Sequence, residues 1–192
     1  MKNMEELAGS LHLNRQLSLE DIPDLNLYMD QVIQLFERKF ADTKRHADEK
    51  VLTKTMINNY AKGKLFFPVE NKKYTKEHLI LISMIYQMKG ALSINDVKTT
   101  LDRLNEKVSH DEFELPALYQ RYLQLIEKST ETFTDEIQVQ QQEVNQAIQT
   151  HDDSDKTYLE QLLLIAMFTN MSNYYRRAAE KLVDDMINDQ DS

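Results

Sequence analysis

Residues that turn a chain are almost missing here. Three Gly and three Pro in 192 residues leave few places for tight turns or breaks, so the elements are long. Helix is the element that runs long without them, and a mainly α protein is expected. With 41% hydrophobic and 29% charged residues the chain can fill a core, as one large domain or two small ones. It has no Cys, which excludes disulfides, thiolate metal sites and cysteine nucleophiles. The apolar runs Leu79 to Ile82 and Leu162 to Phe168 fall well short of the roughly 20 residues that span a bilayer. The opening segment MKNMEELAGSLHL carries acids where a signal peptide carries positive charge. A soluble cytoplasmic protein with no membrane attachment is the expectation.

Apolar spacing then divides the chain. Residues 1–18 lack a clear repeat and read as a loosely attached arm. Ser18-Leu19-Glu20-Asp21 and Pro23 lead into an amphipathic helix. Its stripe is Leu25, Met29, Val32, Phe36 and Phe40, widened by Leu27, Tyr28, Ile33 and Leu35. Residues 41–50 form a charged, exposed connection. Thr53 caps a short helix that ends near Gly63. Leu65-Phe66-Phe67-Pro68 is extended, because Pro68 biases its predecessor away from helix. Asn71-Lys72-Lys73-Tyr74 forms the loop and return strand of a small hairpin.

Thr75 caps the next helix, with His78 at its third position, and Leu79 to Met88 is apolar on nearly every side. That helix belongs in the middle of a core. Gly90 stops it, and Ser93 with Asp96 opens another on Val97, Leu101, Leu104 and Val108. Beyond His110 the chain turns acidic. A helix with Pro116 in its first turn places Leu118, Tyr122, Leu125 and Ile126 inward, and a Gln-rich helix over 129–149 carries Phe133, Ile137, Val144 and Ile148. Residues 151–155 read as an acidic turn and cap before a long helix from about Lys156 to Ile187. The expected organisation is an arm (1–18), a domain (19–110) and an acidic helical region (111–192).

Charge is distributed unevenly. The net charge is −9, yet residues 38–76 hold eleven Lys or Arg against four Asp or Glu, a local excess of seven. Residues 111–192 hold six basic against 17 acidic groups. Because the Debye length is roughly 8 Å at physiological salt, a basic module can work beside an acidic one. On a helical wheel Lys54, Thr55, Asn58, Asn59 and Lys62 share one side, with Met56, Ile57, Tyr60 and Ala61 on the other. The polar side holds cations, amides and a hydroxyl but no carboxylate. Such groups bind phosphates and read base edges in a major groove. Lys64, Lys72, Lys73 and Lys76 follow on the extended segment and hairpin, as candidates for the phosphate backbone.

This order of elements resembles the winged helix-turn-helix of MerR-type transcription regulators. Leu52-Thr53-Lys54-Thr55-Met56-Ile57-Asn58-Asn59-Tyr60-Ala61-Lys62-Gly63-Lys64-Leu65 parallels the pattern V-S-P-E-T-L-R-Y-Y-E-R-x-G-L. It shares the capping hydroxyl, the inward aliphatic, the inward Tyr and the closing Leu. Phe66 and Pro68 stand at the family's entry into the wing, Lys72 to Thr75 at its "R-x-Y-S", and Met88 to Ile94 at its "L-R-x-x-G-F-S-L" turn with one residue extra. Asn58 stands where that family places Arg, and the wing has Lys for Arg, keeping charge without bidentate geometry. More closely, IPDLNLYMDQV with LTKTMINNYAKGKLFFP is similar to a family from low-GC Gram-positive bacteria, a domain of unknown function with MerR-like architecture. The resemblance covers about residues 20–108. It implies a DNA-binding regulator, with residues 54–62 in the major groove of double-stranded DNA and 66–76 on the backbone. A helical protein-interaction module on the same scaffold, without DNA binding, stays open.

Other chemistry finds little support. The five His are scattered with no i, i+4 pair, so no metal site is expected. No phosphate-cradling Gly loop or nucleophile motif is present, so neither catalysis nor a cofactor is expected. In the acidic region, Tyr175, Ala178, Ala179, Leu182 and Met186 form a narrow stripe suited to a homodimer seam. Met167, Met171, Tyr174, Tyr175 and Met186 are candidates to line an effector pocket or to pack between helices.

Overall fold

The computed structural model describes residues 4–110, 113–149, 152 and 154–190. Among them are seven α-helices and one two-stranded antiparallel sheet. The elements run α1 (Met4–Ser10), β1 (Leu27–Tyr28), α2 (Met29–Phe40), α3 (Lys54–Lys62), β2 (Lys73–Tyr74), α4 (Lys76–Met88), α5 (Ile94–Ser109), α6 (Leu115–Gln149) and α7 (Lys156–Gln190). Contacts group the chain into two compact units. One comprises Arg15–Gln124 with Ala179–Ser192, the other Met1–Asn14 with Leu125–Ala178. The mainly α character expected from the scarcity of Gly and Pro holds.

The first unit is built around α4. His78, Leu79, Ile80, Leu81, Ile82, Ser83 and Ile85 are all buried, as an all-round apolar helix requires. Full burial of each of those aliphatics is worth roughly 1.5–3 kcal/mol. Val32, Phe36 and Phe40 of α2, Ile57 and Tyr60 of α3, and Val97, Leu101 and Val108 of α5 join the same core. Phe36, Phe40 and Tyr86 form an aromatic trio, with Phe40 and Tyr86 centroids 4.9 Å apart.

This core extends past the expected 19–110 span at both ends. Leu17 is fully buried, and so are Leu115 and Tyr119 of α6. Tyr119 Oη donates to the Leu17 carbonyl at 2.8 Å and lies 2.9 Å from Ser83 Oγ. Residue 17 is thus part of the packed unit and not of a loose arm. Asp111, in the expected boundary, lies outside the described residues.

Three expectations on element bounds are corrected. Leu25 is 61% exposed and precedes α2, because Leu27–Tyr28 pairs as a strand with Lys73–Tyr74 (Leu27 opposite Tyr74, Tyr28 opposite Lys73). Ser18 and Asp21, expected to lead into that helix, close a turn ahead of β1: the Ser18 N–H and hydroxyl both donate to Asp21 Oδ2 at 2.8 Å. Burial would raise the Asp21 pKa, but these bonds and Lys39, 2.6 Å away, hold it below the ordinary value. Finally, the two helices expected over 116–149 are one, and its inward residues in the first turns are Leu115 and Tyr119, whereas Leu118 and Leu125 are exposed.

The second unit holds α1, most of α6 and the first two-thirds of α7. Its core is small: Met4, Ile137, Val144, Ile148 and Leu164, flanked by Leu7, Leu159, Met167 and Phe168. Asp155 Oδ1 accepts from the Tyr158 N–H at 3.3 Å and caps α7 as expected. His151 and Asp153 of the expected acidic turn lie outside the described residues. No helix among the described residues is long and apolar enough to cross a membrane.

Candidate nucleic-acid interface

Helix α3 starts where Thr53 Oγ1 accepts from the Met56 N–H at 3.1 Å, the expected cap. Burial of Ile57 and Tyr60 fixes its rotation, leaving Lys54, Thr55, Asn58, Asn59 and Lys62 exposed together. Ala61, expected inward, is exposed as well. The helix ends in a Schellman pattern, with Leu65 N–H donating to the Tyr60 carbonyl (3.0 Å) and Lys64 N–H to that of Ala61 (3.1 Å). The left-handed residue is Lys64, at φ 57°, not Gly63, whose φ is −73°. Gly63 is needed for space instead: a Cβ there would meet Leu65 Cδ1 at 2.7 Å.

The hairpin tip is equally specific. Glu70 and Lys73 bridge, with Lys73 N–H donating to the Glu70 carbonyl at 2.9 Å, and Asn71 and Lys72 between them have φ of 51° and 59°. Two successive left-handed residues are the signature of a type I′ turn. Asn tolerates that conformation, whereas Lys costs about 1 kcal/mol there. The return strand then pairs with β1, so the expected hairpin consists of one bridge and a tight turn, and its sheet partner comes from the residues before α2.

His78 ties this wing to the core, a role its position in the sequence did not reveal. It is buried, and its Nδ1 accepts from the Thr75 N–H at 3.1 Å while Nε2 lies 3.2 Å from the Phe67 carbonyl. Those partners require the neutral tautomer with the proton on Nε2. Phe67 packs on the ring at 3.9 Å, with Phe66 and Tyr74 at its edges. Burial pushes the His78 pKa down, against the pull of the Phe67 carbonyl and Glu77.

The candidate residues divide into groups. Lys54 and Lys72 line one groove with Tyr28, Asp30, Val69 and Tyr74. There Lys54 pairs with Asp30 at 2.8 Å, both well exposed, a contact worth little in water. Lys73 stands with its ammonium 5.6 Å from the Tyr28 ring centroid. Lys64 lines a different depression, together with Asp102 and Glu106 of α5. Lys76 is half-buried and lies 3.9 Å from Asp24. Tyr28, Asp30 and Asp24 were missed in the sequence because the β1–β2 pairing that places Tyr28 and Asp30 beside the wing was not visible there.

Of the expected dimer seam, Tyr175, Ala178 and Leu182 are exposed, while Ala179 and Met186 are half-buried. Met171 and Tyr175, candidates for an effector pocket, line an apolar groove of about 390 Å³ with Phe133, Phe168 and Leu7. Tyr174 is exposed. Among the described residues no cluster of His, Asp and Glu has the makings of a metal site.

Comparison with known proteins gives one match. A family model described as a domain of unknown function, DUF1836, covers residues 17–122, which corresponds closely to the core from Leu17 to Tyr119. No curated protein and no solved structure matches the chain. With more than half of its length covered, the chain belongs to the DUF1836 family.

Proposed function

We propose that the unit centred on α4 is a MerR-like winged helix-turn-helix that binds double-stranded DNA, and that the protein is a transcriptional regulator. One observation carries the reading. A nine-residue helix without a single carboxylate exposes Lys54, Thr55, Asn58, Asn59 and Lys62 together, beside a tight turn tipped by Asn71 and Lys72. Asn58 and Asn59 are the base readers in this proposal, since Asn pairs in bidentate fashion with adenine. Lys54, Lys62, Lys72 and Lys73 neutralise phosphates. Lys64 and Lys76 have weaker roles, one sharing a depression with acids of α5 and the other already paired.

The left-handed lysines support the same reading. Glycine suits φ near 57–59° better than lysine, so lysine at 64 and 72 gives up stability. Strain kept at an exposed cationic position fits a demand for charge there. The test is enrichment of genomic fragments by the purified chain. A recurrent site that is lost with Asn58→Ala and Asn59→Ala, while Lys72→Glu weakens all sequences alike, supports the proposal. No enrichment above background defeats it. A second reading, a protein-interaction module, draws on the Lys54–Asp30 and Lys76–Asp24 pairs, which give the face mixed sign. It predicts protein capture that depends on Lys72 and Lys73 with no DNA retention.

A further inference from the structure

Between α5 and the stem of the wing (residues 66–69) lies a cavity of about 650 Å³, within the unit that contains Arg15–Gln124. That volume suits a small molecule. Phe66, Phe67 and Tyr74 give it apolar walls, and Phe66 and Tyr74 are buried. Asp102, Asn105 and Glu106 line it from α5. Steps of three and four residues from Asp102 put these side chains on one helical face.

Asn105 is the decisive residue. Only 9% of it is exposed, and its Nδ2 donates to the Leu65 carbonyl at 2.9 Å. That bond fixes the amide orientation, because a carbonyl needs a donor and Oδ1 has none to give. Oδ1 is then left buried without a partner. A buried acceptor lacking a donor is uncommon, and this one marks a demand that the chain itself does not meet. Asp102 and Glu106 add two carboxylates, and no ion pair joins either to a cation among the described residues. Among the described residues lining the cavity Lys64 alone is basic, so one negative charge remains in excess.

We propose that this cavity binds a small organic cation, an ammonium group carried on an aromatic body. An ammonium has three donors and no acceptor. It matches two carboxylates and an unmet amide oxygen, whereas an anion of the same shape is repelled by both acids. The aromatic body packs against Phe66, Phe67 and Tyr74, whose ring faces also attract the cation. The site does not depend on DNA binding, so the two proposals stand or fall separately.

The probe is phenethylamine, titrated into the isotope-labelled full chain and followed by amide NMR shifts. Saturable shifts are expected within residues 64–69 and 102–109 and at the Asn105 side-chain amide. Hydrocinnamate, the anionic counterpart, gives none at the same concentration. Asp102→Asn with Glu106→Gln weakens the amine about tenfold or more, the loss expected when such bonds are stripped of charge, at unchanged helical circular dichroism. Each single variant weakens it in the same direction, which keeps the test open if the double variant fails to fold. Lys64→Ala removes the competing cation and tightens binding. No saturable shift at millimolar amine, equal binding of hydrocinnamate, or an affinity that loss of the two carboxylates leaves unchanged overturns the proposal.

Discussion

Tyr119→Phe is the sharpest test of the claim that residues on both sides of the expected domain join one core. The hydroxyl is buried, donates to the Leu17 carbonyl at 2.8 Å and lies 2.9 Å from Ser83 Oγ. Phe keeps the ring packing but leaves the Leu17 carbonyl without a donor, at about 1–3 kcal/mol. Ser83 loses less, because a helical Ser can turn its hydroxyl to the carbonyl four residues back. The expected loss is about 2–3 kcal/mol in urea unfolding followed by circular dichroism, with an unchanged denaturant slope. Ser83→Ala should cost less and couple to Tyr119→Phe in a double-mutant cycle.

The pH dependence gives that prediction a second arm. Burial pushes the Tyr119 pKa up to about 12, against the pull of Ser83. An unfolded Tyr ionises near 10, so the native protein resists losing a proton that the unfolded chain gives up. The stabilising contribution is complete below pH 10 and is lost as pH rises towards 12. At pH 11 the gap between native chain and Tyr119→Phe should therefore shrink by about 1.4 kcal/mol relative to pH 8. A loss below about 0.5 kcal/mol at pH 8, or a gap that does not narrow, refutes the buried hydrogen-bonded arrangement.

Further expectations concern the wing and its helix. Lys64→Gly relieves the left-handed strain and should raise stability by about 0.5–1 kcal/mol, net of the freer unfolded chain, whereas Gly63→Ala, which meets Leu65 Cδ1 at 2.7 Å, should lower it. Thr53→Ala removes the cap of α3 and should cost about 1 kcal/mol by denaturation. His78 is held neutral by burial and its pKa is depressed, so its contribution is present above about pH 6.5 and lost as the unfolded chain takes up a proton below that. His78→Gln should flatten that part of the stability profile measured between pH 5 and 7.

Where apolar spacing was strong, sequence and structure agree: Leu79 to Ile82 are buried as their all-round apolar pattern requires, and Thr53 and Ser93 cap the helices expected of them. Failures arose where tertiary pairing overrides local pattern. Leu25, Leu27 and Tyr28 fit a helical stripe, yet Leu27–Tyr28 is a strand because Lys73–Tyr74 supplies its partner some 46 residues later. Leu17 sits in a segment with no periodicity, and its place follows from distant partners: its side chain is buried in the α4 core and its carbonyl accepts from the Tyr119 hydroxyl. The cationic face of α3 was readable from a helical wheel. The acids that temper it, Asp30 and Asp24, were not, since they reach Lys54 and Lys76 from residues before α3 and β2.

The central claim is that the exposed face of α3 and the turn at Asn71-Lys72 form a surface for a DNA duplex. Its most direct measurement is fluorescence anisotropy of the purified chain on duplex DNA across a salt series. Four phosphate contacts, from Lys54, Lys62, Lys72 and Lys73, predict that log affinity falls by about 3.6 for each log unit of salt, and by about 0.9 less when Lys72 is replaced by Ala. Binding with no salt dependence, a slope that ignores Lys72, or no binding at low salt contradicts the account.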